Sequence, residues 1–122
     1  MQDYTVGGLW PLDIPGVENV VEALQAGHYG TPVVPMYVYI GMNEEIAPVS
    51  GSDHLVADYC ARGVDVTYTK YPVLEHASAE LVAVGAAVDW LAQRLTDTPT
   101  TPTCGAPEHA KIGFPGTETG AA

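Results

Sequence analysis

Apolar positions along this chain change their spacing at intervals, and each change marks an element. In "DIPGVENVVEALQAGHYG" the apolar Val17, Val20, Val21 and Leu24 recur at helical spacing on one face, which predicts a short helix from about Val17 to near Gly27. "TPVVPMYVYIG" follows and is apolar or aromatic at every position from 36 to 40, the pattern of a strand covered on both faces inside a parallel sheet. Pro32 and Pro35 cannot donate to a ladder, so the paired part is confined to that run.

"GSDHLVADYCARG" returns to helical spacing, with Leu55, Val56 and Tyr59 inward, Ser50 or Ser52 as the cap and Gly63 as the stop. "VDVTYTKY" then alternates and is β-branched, a second strand. "AELVAVGAAVDWLAQRL" is the longest helical pattern, with Leu81, Val84, Val88, Leu91 and Leu95 forming one apolar stripe. From Asp97 onward, proline, threonine and glycine predict an irregular tail whose last dozen residues are mobile.

The predicted organisation is therefore α/β: an N-terminal loop and short helix over 1–31, a strand–helix–strand–helix segment over 32–96, and a Pro/Thr/Gly-rich tail over 97–122. The passage between the strands is long enough for a right-handed crossover and hence for two parallel strands. Two strands leave edges and apolar faces uncovered, so the pattern reads as the end of a larger sheet.

Composition narrows the function classes. Four Lys and Arg against 15 Asp and Glu give a formal charge of −11, which repels a nucleic-acid backbone and an anionic membrane surface alike. No stretch approaches the ~20 apolar residues of a membrane span, and "MQDYTVGGLW" lacks the basic start and apolar run of a signal peptide. Cys60 and Cys104 have no second Cys or His at metal-ligand offsets, so neither a metal nor a cofactor is expected. They are left as a disulfide or as two buried thiols.

The chemistry lies in two turns. Loops leaving the carboxyl ends of neighbouring parallel strands lie side by side, and here they carry "MNEE" and "LEH". Glu44 after the first strand and His76 after the second can therefore meet. A carboxylate accepting from one ring nitrogen fixes the tautomer and leaves the other nitrogen free as a base. His28 and His54 sit in helical patterns and read as surface or helix-end residues, and His109 in the tail receives no role. Glu75 and Glu80 are near His76 in sequence, which does not establish that they face its ring.

The stretch from Pro32 to Leu95 resembles the C-terminal part of the secretory lipases, the α/β-hydrolase family of fungal and actinobacterial secreted enzymes of the Candida antarctica lipase A type, with this chain closer to the actinobacterial members. The motifs that carry the resemblance are the G-x-x-acid-E-I-x-P turn at 41–48, "YCARG", the Y-P-x-x-x-H turn ending at His76, and Cys104 followed by Gly105. The resemblance implies that Glu44 is the acid and His76 the base of a Ser, acid, His triad, acting through an acyl-enzyme on lipid or other ester substrates. Glu44 stands where the family usually has Asp, and its extra methylene moves the carboxylate, so Glu45 is a candidate substitute acid. The family's G-x-S-x-G nucleophile elbow is not found, since Ser50, Ser52 and Ser78 lie in other contexts. The expectation is a lipase segment, inactive alone, that is completed by an N-terminal chain or hides its open sheet in a homo-oligomer. The resemblance further implies secretion and a Cys60–Cys104 disulfide.

Overall fold

The structure, a computed structural model, describes residues 6–27 and 29–114. His28 lies outside the described residues, as does the tail beyond Phe114. The chain clusters into two compact units, Met1–Gly30 and Thr31–Ala122.

In the first unit, short 3-10 turns at Val6–Gly8 and Pro11–Asp13 precede helix α1, Val17–Ala23. α1 begins where the apolar spacing begins. It buries none of its residues, and Val20, Val21 and Leu24 are exposed.

The second unit is built on a three-stranded parallel sheet. β1 (Met36–Gly41) pairs with β2 (Val66–Tyr71) in a register running from Met36 opposite Val66 to Gly41 opposite Tyr71. The expected alternation of β2 is overridden, because all six of its residues are buried. The cause is its central place: Val66 and Tyr68 pack with Ile40, Val56 and Tyr59 on one face, while Tyr71 packs with Leu74, Ala79 and Ala83 in a second cluster.

Helix α2, Val49–Ala61, buries Val56 and Tyr59 as its spacing predicts. Its cap differs from expectation: Pro48, not Ser50 or Ser52, is the boundary residue, extended at φ −55° and ψ 129°, and both serines fall inside the first turn. The stop is as read, since Gly63 has φ +78°, a conformation that glycine takes without steric cost. The Gly63 N–H donates to Cys60 O and the Val64 N–H to Tyr59 O, the paired bonds that close a helix end.

Helix α3, His76–Leu95, turns the other way round from the simplest reading of its stripe. Leu81, Val84, Val88, Leu91 and Leu95 are all exposed, whereas Ala79 and Ala83 are buried against the sheet. Small residues let the helix approach the strands closely. Larger rings fill the remaining space, with Trp90 lying 5.7 Å from Tyr37 and Tyr37 lying 6.0 Å from Tyr39.

The tail is a further correction. Instead of being irregular throughout, it adds a third strand, β3 (Lys111–Ile112), parallel to β2 with Thr69 opposite Lys111. Thr103 anchors its approach: its N–H donates to Val66 O at 2.8 Å, and its Oγ1 accepts the Tyr68 N–H at 2.9 Å. The Gly113 N–H donates to Lys70 O at 2.8 Å, and Cys60 and Cys104 form a disulfide across 44 residues of sequence. Closing a loop of that size contributes about 4 kcal/mol in the chain-entropy account. Among the described residues no helix is long and apolar enough to cross a membrane.

Candidate active site

Two loops leave the same end of the sheet, one after Gly41 and one after Tyr71, and the parallel register sets those residues opposite each other. The loops are then tied by main-chain bonds, from Met42 N–H to Tyr71 O at 2.8 Å and from Asn43 N–H to Leu74 O at 3.0 Å. Such closeness requires glycine at 41. A Cβ there would lie 2.2 Å from the Leu74 carbonyl oxygen, well inside contact distance.

On this platform Glu44 and His76 meet. His76 Nδ1 lies 3.0 Å from Glu44 Oε1 and 2.9 Å from Oε2. The Glu44 side chain is 5% exposed and that of His76 is 51% exposed, so the acid is enclosed while the ring remains accessible. Glu44 Oε1 also accepts the Ile46 N–H at 2.8 Å and the Ala47 N–H at 3.0 Å. The Ala47 bond does most to hold the Glu44 carboxyl below its ordinary pKa; desolvation opposes it, and Ile46 and His76 add to the lowering. Ionised, Glu44 can only accept. Nδ1 therefore carries the hydrogen and donates it, which in a neutral ring leaves Nε2 as the acceptor.

His76 is the first residue of α3. Its ring is thus placed by a helix start, which Ser78 stabilises by accepting the Glu75 N–H on its Oγ at 2.8 Å. Glu75 itself is spent on that helix start. Glu45 contacts the main chain of His76, accepting its N–H on Oε2 at 3.1 Å. Glu80 accepts the Tyr39 hydroxyl at 2.6 Å, and this bond is the main cause of the phenol pKa being raised to about 12.

An open cleft of about 540 Å³ surrounds the pair, with Tyr39, Ile40, Ala47, Ala79 and Leu81 among its walls. It is apolar apart from Glu44, His76 and Glu80, and it could receive a substrate with a hydrocarbon portion. His54 lies in α2, and His109 Nδ1 contacts Cys104 O in the tail, so neither lines the cleft. The reading of the sequence missed the Tyr39–Glu80 pair and the Gly41 contact. The first had a signal, because Glu80 follows His76 at the i, i+4 spacing of neighbours on a helix face. The second had none, since it depends on the distance between two loops.

The profile of the secretory lipase family matches residues 14–103. This chain belongs to that family. Among its relatives, a trichothecene C-3 esterase of Fusarium sporotrichioides is 37% identical over 65 residues, covering 53% of this chain and 14% of the esterase. Lipase A of Moesziomyces aphidis is 27% identical over 97 residues, covering 80% of this chain and 21% of that lipase. The crystal structure of Candida antarctica lipase A in its closed state superposes with a TM-score of 0.72 at 23% identity, covering 91% of this chain and 26% of that one. The architecture is therefore a portion of the α/β-hydrolase fold, and the chain spans between 14% and 26% of the length of these relatives.

Proposed function

We propose that this chain is the acid–base portion of a secreted lipase or esterase, in which His76 is the general base and Glu44 orients it. The observation that carries the reading is the Glu44–His76 contact at the carboxyl ends of adjacent parallel strands. In this reading a serine on a segment beyond this chain attacks the ester carbonyl. His76 Nε2 takes the serine proton, then returns it to the departing alcohol, leaving an acyl-enzyme. Water, deprotonated by the same nitrogen, attacks the acyl carbon; the acyl–serine bond breaks, the proton passes to the serine oxygen, and the carboxylic acid departs. Glu44 stabilises the imidazolium in both steps. The apolar cleft favours fatty-acyl esters, and the relatives named lipases and esterases support that class. The disulfide fits an oxidising compartment and so secretion.

The test is hydrolysis of a short-chain p-nitrophenyl ester. The 122-residue chain alone should show no turnover above a His76→Ala control. Joined to the nucleophile-bearing part of a secretory lipase, it should turn over, and His76→Ala should then lower kcat by about 10⁴-fold or more. Activity indifferent to His76 would refute the assignment.

A second reading, a non-catalytic domain that pairs with itself or with a complementing chain, draws on a separate observation. The outward edge of β1 has no strand partner among the described residues, and the α3 stripe is bare. In addition, Trp90 Nε1 and the three guanidinium nitrogens of Arg94 are buried without a hydrogen-bond partner among the described residues. Shielded donors of that kind call for acceptors from elsewhere. Sedimentation distinguishes the cases: a sharp monomer peak with cooperative unfolding removes the second reading.

A further inference from the structure

The two adjacent acids at the end of β1 make different contacts with one residue. Glu44 holds the ring of His76 through Nδ1. Glu45, one position later, accepts the main-chain N–H of the same residue at 3.1 Å. We infer that Glu45 is a positioning residue, anchoring the backbone of His76 to the turn that also holds its ring, so that the direction of Nε2 is set by two points on a single loop.

The first four N–H groups of a helix have no partner inside it, and His76 supplies the first of them in α3. The side chain of the preceding residue reaches the N–H two or three positions further in, as Glu75 does at Ser78, and leaves that of His76 open. Here the acceptor comes from 31 residues earlier, across the gap between the two loops. A bond from a carboxylate to a main-chain N–H is stronger than a neutral one, and a negative charge at a helix start also complements the helix dipole. That long-range contact fixes the point from which the His76 side chain springs. Glu44 fixes a ring atom, and both acids belong to one turn locked to Tyr71 and Leu74 by main-chain bonds. With the backbone and the ring anchored to the same loop, the two side-chain torsions of His76 have little slack. Glu45 is thereby an unsuitable replacement acid, because its carboxylate is committed to the amide while both oxygens of Glu44 lie at Nδ1.

This inference rests on the acid–base reading of Glu44 and His76, and its test separates the two. The whole chain, labelled with [15N]histidine, is followed by magic-angle-spinning NMR, which does not depend on oligomeric state. His76→Ala identifies the His76 signals by their loss. The wild type should show the strongly downfield Nδ1–H proton of an imidazole bonded to a carboxylate. Glu45→Ala should shift that proton upfield and broaden it, whereas Glu45→Gln, whose side-chain oxygen still accepts the N–H, should restore it. A merely structural role would lower the melting temperature of Glu45→Ala and leave the proton where it was, and that result overturns the inference while the acid–base reading stands. Absence of the proton in the wild type overturns both. Should Glu45→Ala fail to fold, amide exchange in the wild type decides: the His76 amide should be protected by about tenfold or more over its unfolded-chain rate, and lack of protection refutes the bond.

Discussion

The two edges of the sheet are finished differently. On the β3 side the tail has been drawn in: a disulfide joins it to α2, Thr103 inserts its hydroxyl into the β2 ladder, and Lys70 reaches Glu108 at 3.0 Å as well as Asp53 at 2.8 Å. On the β1 side none of this exists among the described residues. The strand stops at a bare edge, and the nearby helix turns Leu81, Val84, Val88, Leu91 and Leu95 outward. The contrast separates a side of the fold that is tied together covalently and by hydrogen bonds from one whose strand edge and apolar helix face lie open among the described residues. The candidate site sits on the loops after β1 and β2, which main-chain bonds tie to each other.

That contrast can be broken first where it is strongest. Cys60→Ser with Cys104→Ser, or reduction, should cost about 4 kcal/mol and loosen the tail, read as a lower denaturation midpoint and faster proteolysis after Asp97. Gly41→Ala, on the open side, should cost about 3 kcal/mol, because its methyl meets the Leu74 carbonyl oxygen and must push the His76 turn away. Its loss of the His76–Glu44 contact should show in the same NMR spectrum. Lys70→Met should cost about 2 kcal/mol, reduced from the usual penalty of breaking a buried pair because Asp53 and Glu108 are themselves solvent-accessible. Burial pushes the Lys70 pKa down, but its bonds to Asp53 and Glu108 outweigh that and raise it. A raised lysine stabilises fully below its unfolded pKa, and the contribution is lost as pH rises through the higher folded value. The wild-type advantage over Lys70→Met should therefore hold at neutral pH and fall away in strong alkali, as paired unfolding curves would show. The smallest effect on the fold comes from Val88→Glu with Leu91→Lys in the exposed stripe, within about 0.5 kcal/mol. The same pair should abolish any self-association that sedimentation detects.

Much of this was legible in the residues. Parallel strands ending at "GMNEE" and "YPVLEH" place Glu44 beside His76 by topology alone, and the structure brings the two side chains into contact. The face of α3 was not legible. Large apolar residues mark out Leu81 through Leu95, while packing density on a sheet favours the smaller Ala79 and Ala83. The third strand has only two residues, too few for any alternation to register, and it exists because Thr103 and the disulfide deliver the tail to an edge with unpaired main-chain groups. Nor could the sequence show what Glu45 holds. Its acceptor role is toward a main-chain N–H, which every non-proline residue possesses.

The disulfide has one more consequence. The 44-residue separation between Cys60 and Cys104 encloses β2, His76 and the whole of α3. A single cut by a protease anywhere within that loop leaves two pieces still joined by a covalent bond. In a protease-rich surrounding, His76 would stay on the same molecule as Glu44 after the backbone between them had been severed.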